Sequence, residues 1–188
     1  MSMKVIIGVV IGVVVFLLLW IAFIYNSLIR GRNTCTESWS NVDTELKRRY
    51  DLIPNLVETV KGYAKHEREV LEQVTQARNA AVASTGSPES QARDENVLVQ
   101  GLRQLLAVAE KYPDLKASKN FLDLQHELTN TEDRIQRARR FYNGNVRDYN
   151  NRVQMFPSNM IAKVAHCEQR EFFEIENVME RQAPEVKI

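Results

Sequence analysis

The chain has 188 residues, 44% of them hydrophobic and 26% charged, and its formal net charge is +1. With 25 basic and 24 acidic residues, it lacks the basic excess of a nucleic-acid-binding protein, so no nucleic-acid partner is expected. Cys35 and Cys167 form no C-x-x-C motif, which excludes a disulfide framework and a zinc site of that kind. We interpret them as reduced, inert thiols. A single Cys35–Cys167 bridge is the alternative if the domain lies outside the cytoplasm.

The first feature along the chain is an uncharged apolar run from Val5 to Tyr25. An α-helix of this length covers roughly 30 Å, the thickness of the hydrocarbon core of a bilayer. The run is too long for a signal peptide and lacks a small-residue cleavage site. We therefore predict a short tail (residues 1–4), a transmembrane helix (residues 5–25) and a soluble domain (residues 26–188). Trp20 and Tyr25 are predicted to anchor the helix at the membrane interface.

Charges and glycines around this helix suggest its orientation and an interface. Only Lys4 precedes it, whereas Arg30 and Arg32 follow it closely, which favours an outside amino terminus and a cytoplasmic domain. Gly8 and Gly12 have the G-x-x-x-G spacing that lets two membrane helices approach closely. Self-association through this pair is a hypothesis, and chance spacing of common membrane glycines is its alternative.

Apolar residues recur with helical 3-4 spacing from Trp39 to Ala81, although Arg49 and Glu67 interrupt the stripe. The register continues across Pro54, where a proline removes one backbone hydrogen bond. The pattern predicts a kink at Pro54 in one long helix, or two nearly collinear helices, with a seam typical of coiled coils and bundles.

Proline and serine residues mark the later boundaries. Ser87 and Pro88 are predicted to open a helix that ends at Tyr112, before Pro113. After a predicted loop at residues 114–119, 3-4 spacing runs from Phe121 to Tyr149 and ends before Pro157. Ser158 is predicted to cap a short helix over residues 159–165, and the remainder is predicted to be irregular and packed on the bundle. The fold class is therefore all-α.

No catalytic constellation is visible in the sequence. The three histidines are isolated from one another in the sequence: His66, His126 and His166. Neighbouring carboxylates such as Asp43 and Glu45 are two residues apart, so on a helix they point in different directions. We therefore predict a non-enzymatic protein without catalytic residues, cofactor or metal.

One polar stretch is a candidate interaction patch. Its members are Arg137, Arg140, Tyr142, Asn143, Tyr149 and Asn150. The arginines lie in a basic cluster, and we weigh an anionic-lipid or phosphate site against a solvated face paired to Glu132 and Asp133. For the tyrosines and asparagines, the alternative is packing with interhelical hydrogen bonds.

The residues KRRYDLIPNLVETVKGYAKHE at positions 47–67 resemble the signature of the LemA family of bacterial membrane-anchored helical proteins. Similar stretches follow in the same order, namely FLDLQ from Phe121, RFYN from Arg140, VRDYN from Val146, FPSN from Phe156 and APEVKI from Ala183. The resemblance implies a short extracytoplasmic amino terminus, one span and a cytoplasmic antiparallel bundle of long helices. It implies no reaction and no ligand-binding residues.

Two functions are therefore expected. The first is a homo-oligomeric scaffold in the bacterial cell membrane, with the lipid bilayer and further copies of the chain as partners. The second is a regulatory adaptor for a membrane protease or an envelope-stress system, which only the resemblance suggests.

Overall fold

The computed structural model describes residues 2–176 and 178, and the predicted tail at residues 184–188 lies outside this range. Six α-helices follow one another in the chain: α1 (Met3–Tyr63), α2 (Arg68–Ala83), α3 (Pro88–Lys111), α4 (Pro113–Lys116), α5 (Lys119–Gln154) and α6 (Ser158–Val164). No strand occurs among the described residues. The predicted all-α class is confirmed.

These helices form two compact units. Unit 1 combines residues 1–38 with residues 144–170, and unit 2 combines residues 39–143 with the chain from residue 171 onward. Helices α1 and α5 contribute to both units, whereas α2, α3 and α4 lie in unit 2 and α6 lies in unit 1.

Helix α1 continues through Pro54, as the unbroken register predicted. Pro54 is exposed, so its ring meets solvent and its missing N–H lies at the surface of the helix. The kink itself stays a prediction.

The predicted continuation of this helix to Ala81 is wrong. Helix α1 ends at Tyr63, and α2 returns beside it, so that Arg78 Nε donates a hydrogen bond to the Tyr50 carbonyl at 2.8 Å. Apolar spacing alone could not show the reversal, because the stripe resumes after the turn with only a small shift. Unbroken 3-4 spacing predicts Tyr63 and Val70 in the seam, but the buried residues here are their neighbours Ala64 and Leu71.

Local signals placed α3 correctly. The backbone N–H of Ser90 donates to Ser87 Oγ at 3.4 Å, and Pro88 is the first helical residue. The predicted loop at residues 114–119 is partly wrong, because Pro113 opens the one-turn helix α4, which buries Leu115.

Helix α5 supplies one apolar face to unit 2, and the predicted stripe accounts for most of it. The buried members of that stripe in unit 2 are Phe121, Leu128, Thr131, Ile135 and Tyr142. The other buried residues of unit 2 include Val42, Leu46 and Ile53 on α1 and Leu98, Leu102 and Leu105 on α3. As predicted for this part of the chain, the described residues 168–176 are irregular, and Phe173 and Ile175 among them are buried.

Unit 1 has a smaller core, formed by Leu28, Ala162 and Cys167. The partly buried residues packed on it are Ile24, Val153, Ile161 and Ala165. Gly31 permits a close approach, since a Cβ there would lie 3.1 Å from Tyr149 Cδ2.

The ends of α6 differ slightly from the prediction. Pro157, rather than Ser158, is the residue before the first helical position, and the Ser158 hydroxyl donates to the Met155 carbonyl at 2.9 Å. The helix ends in a Schellman-type turn: His166 has a φ of 50°, and the Cys167 N–H donates to the Ala162 carbonyl at 2.9 Å.

We expect Leu128→Asp to lower the free energy of unfolding by roughly 3 kcal/mol or more, since it places an unpaired charge in a closed core. Urea unfolding of the full-length protein in mild detergent, followed by circular dichroism, measures the change. The control is Leu122→Asp, at a half-exposed position in the first turn of α5, which should stay within about 0.5 kcal/mol of the parent. Equal losses in both variants would contradict this description of the core.

Candidate functional site

The most unusual feature of unit 2 is a buried charge cluster, which we define as Arg49, Glu95 and Glu132. These residues come from α1, α3 and α5, and their side chains are 0%, 0% and 1% exposed. Arg49 Nη1 donates to Glu132 Oε1 at 2.8 Å, and Arg49 Nη2 donates to Glu95 Oε2. One guanidinium therefore joins carboxylates from two other helices.

Tyr50 extends the cluster, because its hydroxyl donates to the second oxygen of Glu95. Burial would by itself lower the pKa of Arg49, but the two carboxylates outweigh this effect and raise it. Burial raises the pKa of Glu95 and exceeds the opposing influence of Arg49 and of the Tyr50 hydrogen bond. The pKa of Tyr50 is also raised, by burial and by the negative charge of Glu95. The cluster thus favours a charged arginine and resists a second full negative charge.

The sequence contains a signal for this cluster, because Arg49 interrupts the apolar stripe. The prediction of a solvated Glu132 paired to the nearby arginines is wrong, since its carboxylate is buried against Arg49. Each member occupies a core position: Glu132 follows Leu128 by one turn, and Glu95 precedes Leu98 by three residues. Charged residues at seam positions of three different helices are the pattern that could have identified the cluster.

The cluster is closed to solvent, so its carboxylates cannot reach a substrate. Two buried atoms of the cluster, Arg49 Nε and Glu132 Oε2, have no hydrogen-bond partner among the described residues. The same holds for Nε2 of Gln136, one turn after Glu132 on α5. Across residues 2–176 and 178, no three His, Cys, Asp or Glu side chains gather where they could hold a metal ion. The geometry therefore suits a structural element that fixes how three helices meet.

The tyrosine and asparagine of the predicted patch in unit 2 hold the chain's own irregular segment. The Asn143 amide donates to the Phe173 carbonyl at 3.0 Å, and its oxygen accepts from the Phe173 N–H at 2.9 Å. The Tyr142 hydroxyl donates to the Glu171 carbonyl at 2.9 Å. The Trp39 ring lies 5.1 Å from both the Tyr142 ring and the Phe173 ring, in tilted and edge-on geometry.

The same pair of bonds recurs one heptad later, in unit 1. Asn150 Nδ2 donates to the Arg170 carbonyl at 2.8 Å, and Asn150 Oδ1 accepts from the Arg170 N–H at 2.8 Å. Tyr149 is buried beside Gly31. The sequence suggested hydrogen bonds between helices. These bonds instead join α5 to an irregular segment. Arg137 and Arg140 are the exposed members of the predicted patch, and an interaction there stays a prediction.

The predicted membrane residues all lie in the first part of α1. This stretch contains the only helical segment of the described chain that is long and apolar enough to cross a membrane, and none of its most apolar window is buried. Trp20 and Tyr25 are 42% and 45% exposed, and added Cβ atoms at Gly8 and Gly12 would meet nothing within 4 Å. Such a segment indicates membrane association.

An open groove of about 800 Å³ lies between the end of α1 and the start of α2 in unit 2. Val57 and Leu71 provide apolar lining, and Glu58, Lys61, Arg68 and Glu72 provide charges. Lys61 lies 3.4 Å from Glu58, and Arg68 lies 2.6 Å from Glu72. The groove therefore offers an apolar surface bordered by charges of both signs.

We expect Arg49→Met to lower the free energy of unfolding by about 3–5 kcal/mol near neutral pH, because it leaves two buried carboxylates without their cation. Burial already raises the pKa of Glu95 against the opposing influence of Arg49, so in the variant Glu95 binds a proton more tightly when folded than when unfolded. The free energy of unfolding that the variant loses near neutral pH should therefore be regained as the pH is lowered from about 8 to about 5, because the buried carboxylate then takes up a proton. Denaturant unfolding across this range measures the effect.

The matched control is Arg48→Met, because Arg48 is the exposed neighbour whose side chain lies 3.7 Å from Glu45. It should change stability by no more than about 0.5 kcal/mol at any pH. A loss in Arg49→Met that stayed constant across the pH range would contradict the assignment of buried, unneutralised carboxylates.

Comparison with known proteins gives the family. The model of the LemA family matches residues 38–188. The chain is 30% identical to Protein LemA of Metamycoplasma hominis over 143 residues, covering 73% of this chain and 63% of the relative. It is 25% identical to Magnetosome protein MamQ 2 of Paramagnetospirillum magneticum over 176 residues, covering 80% of this chain and 64% of the relative.

A third relative, Magnetosome protein MamQ of Magnetospirillum gryphiswaldense, is 23% identical over 175 residues, covering 79% of this chain and 64% of the relative. The chain thus spans slightly less than two thirds of the length of these relatives. None of their names is that of an enzyme. The family match covers most of the chain, including the charge cluster and both asparagine contacts, and the chain therefore belongs to the LemA family.

Proposed function

We propose that this LemA-family chain is a membrane-anchored, non-enzymatic structural protein whose copies self-associate at the bacterial cell membrane. The observation that carries the proposal is the exposed, uncharged segment of α1 with its open glycine face. Residues 5–25 contain no charge, and the most apolar window of the helix is wholly exposed. A helix that is apolar on every side needs a surrounding of lipid or of other helices.

Gly8 and Gly12 supply a contact surface for a second copy. They lie one turn apart, and neither would bring a Cβ within 4 Å of another atom of the chain. In lipid, helices gain little from burying apolar surface against each other, so close packing over small residues drives their association. The pair therefore suits a symmetric contact between two spans.

The soluble part supports a structural role, because several of its buried polar side chains bond to groups of the same chain. Arg49 is neutralised by Glu95 and Glu132 inside the core. Asn143 and Asn150 use both ends of their amides on backbone groups of the chain. These groups specify the fold and are not presented to a substrate.

We place the amino terminus outside and residues 26–188 in the cytoplasm. Arg30 and Arg32 follow the span directly, and Arg152 Nη1 donates to the Ser27 carbonyl at 3.3 Å, which adds a third positive charge at this end. Only Lys4 precedes the span. Positive residues close to a span favour the cytoplasmic side.

We expect Gly8→Leu combined with Gly12→Leu to weaken self-association about tenfold, equivalent to about 1.4 kcal/mol, because two added side chains separate the helices. Native mass measurement of the full-length protein across a concentration series in mild detergent gives the monomer–oligomer equilibrium. The control is Val10→Leu with Val14→Leu, which changes the opposite side of the same helix and should leave the equilibrium unchanged. A wild-type protein that stays monomeric at every concentration would overturn the proposal.

The second candidate is a regulatory adaptor for a membrane protease or envelope-stress system, and the groove between α1 and α2 favours it. An open, partly apolar groove with mixed charges suits an extended or helical segment of another protein. Gly62 lines the groove, and a Cβ there would meet nothing within 4 Å, so a large side chain can be placed in it.

If the adaptor function is correct, native pull-downs should recover an unrelated membrane protein in stoichiometric amount, and Gly62→Trp should reduce its recovery. The control is Asn130→Trp, at an exposed position on α5 that does not line the groove. Quantitative mass spectrometry of the bound fraction measures both. Recovery of the bait alone would remove this candidate.

A further inference from the structure

An exposed apolar patch surrounds the turn between α5 and α6. We define the α6 patch as Met155, Phe156, Met160 and Val164, which are 63%, 77%, 63% and 81% exposed. Four large apolar side chains so close together are unusual on a surface that faces only water. The patch therefore calls for a partner.

Helix α6 has apolar residues on both sides. Ile161, Ala162 and Ala165 face the core of unit 1. Met160 and Val164 lie four residues apart on the opposite side, where a helix at a protein surface normally carries polar residues. A helix with this pattern is suited to burial on two sides, and the chain itself covers only one of them.

The buried side of α6 locates the patch with respect to the apolar segment. The core of unit 1 contains Leu28, and Ile24 packs against the same core. Ile24 lies within the uncharged run that ends at Tyr25, and Leu28 lies one helical turn later. Helix α6 therefore lies beside the point where α1 would leave the hydrocarbon core, at the level of the lipid headgroups.

Charge favours an anionic bilayer as the partner. Apart from Lys4, which precedes the span, unit 1 contains six basic and three acidic residues, a net charge of +3, although the whole chain carries only +1. Lys163 stands between the two exposed apolar residues of α6, and Arg152 lies near Ser27 at the end of the span. Basic residues at a bilayer surface gain about 1 kcal/mol each from anionic lipids. A direct contact between two copies of the patch would set the like charges of two Lys163 side chains against each other, which electrostatic repulsion opposes.

We propose that the α6 patch inserts into the headgroup region of an anionic bilayer, as a second membrane contact beside the span of α1. The apolar side chains enter the boundary between headgroups and acyl chains, and Lys163 and Arg152 meet lipid phosphates. This inference rests on the proposed membrane anchorage but is independent of self-association. It adds to the span a contact that sets the orientation of unit 1 on the membrane surface.

The test uses full-length protein in vesicles of phosphatidylcholine and phosphatidylglycerol. A nitroxide is attached at Met160→Cys or at Val164→Cys, in a background with Cys35→Ala and Cys167→Ala that retains cooperative unfolding. Collisions with oxygen, which concentrates in lipid, are compared with collisions with a water-soluble nickel complex. The water reference is Arg147→Cys, an exposed position on α5, and the lipid reference is Val14→Cys in the span.

We expect labels at 160 and 164 to lose nickel accessibility relative to the label at 147 while keeping oxygen accessibility. Full nickel accessibility at 160 and 164 would overturn the proposal, since the patch would then face water. Loss of both accessibilities would also overturn it, because the patch would then be covered by protein. Nickel accessibility at position 14 would show instead that the anchorage itself has failed.

Discussion

The neutralisation of Arg49 is the constraint on which unit 2 depends. A guanidinium without exposure is tolerated only where carboxylates replace the water it has lost, and here they come from α3 and α5. The three helices must therefore meet with the correct rotation and height, because a shift of one turn would leave a charge alone in the core. Apolar packing allows many nearly equivalent arrangements of helices, and the directional contacts of the charge cluster restrict that choice.

Much of this fold could be predicted from the spacing of apolar residues and from the serine and proline residues at helix ends. The 3-4 recurrence of Leu128, Ile135 and Tyr142 gave the buried face of α5, and Ser87 with Pro88 gave the start of α3. These signals are local, because they depend on the geometry of one helix or one cap. The reversal after Tyr63 could not be found in this way, since the apolar pattern resumes on the far side of the turn almost in register.

The candidate site was predicted less well than the fold, and for a different reason. Burial of Arg49 depends on residues 46 and 83 positions away, which no local pattern connects. Asn143 and Asn150 belong to the predicted patch, but their partners lie in an irregular segment with no periodicity. The roles of Gly8, Gly12, Trp20 and Tyr25 stay predictions, and they rest on the length and apolarity of one continuous stretch.

The two units differ in their exposed apolar residues, in their net charge and in their buried polar contacts. Unit 1 carries the apolar segment, the α6 patch and an excess of positive charge. In unit 2 the acidic residues outnumber the basic ones. The polar side chains of the charge cluster and of Asn143 bond to groups within this unit. The features suited to contact with lipid and those that specify the helical core thus lie in different parts of one chain.

The two hydrogen bonds of Asn143 need both a donor and an acceptor, so this position accepts an amide but not a carboxylate. An aspartate has nearly the same shape, but it would set a negative oxygen against the Phe173 carbonyl in place of a donor. Asn143 is followed by Gly144, the neighbour that least hinders the cyclisation through which asparagine deamidates. Helix α5 includes both residues and keeps the Gly144 nitrogen in its backbone ladder, away from the amide carbon. Helix α5 therefore hinders deamidation of the same amide that binds Phe173.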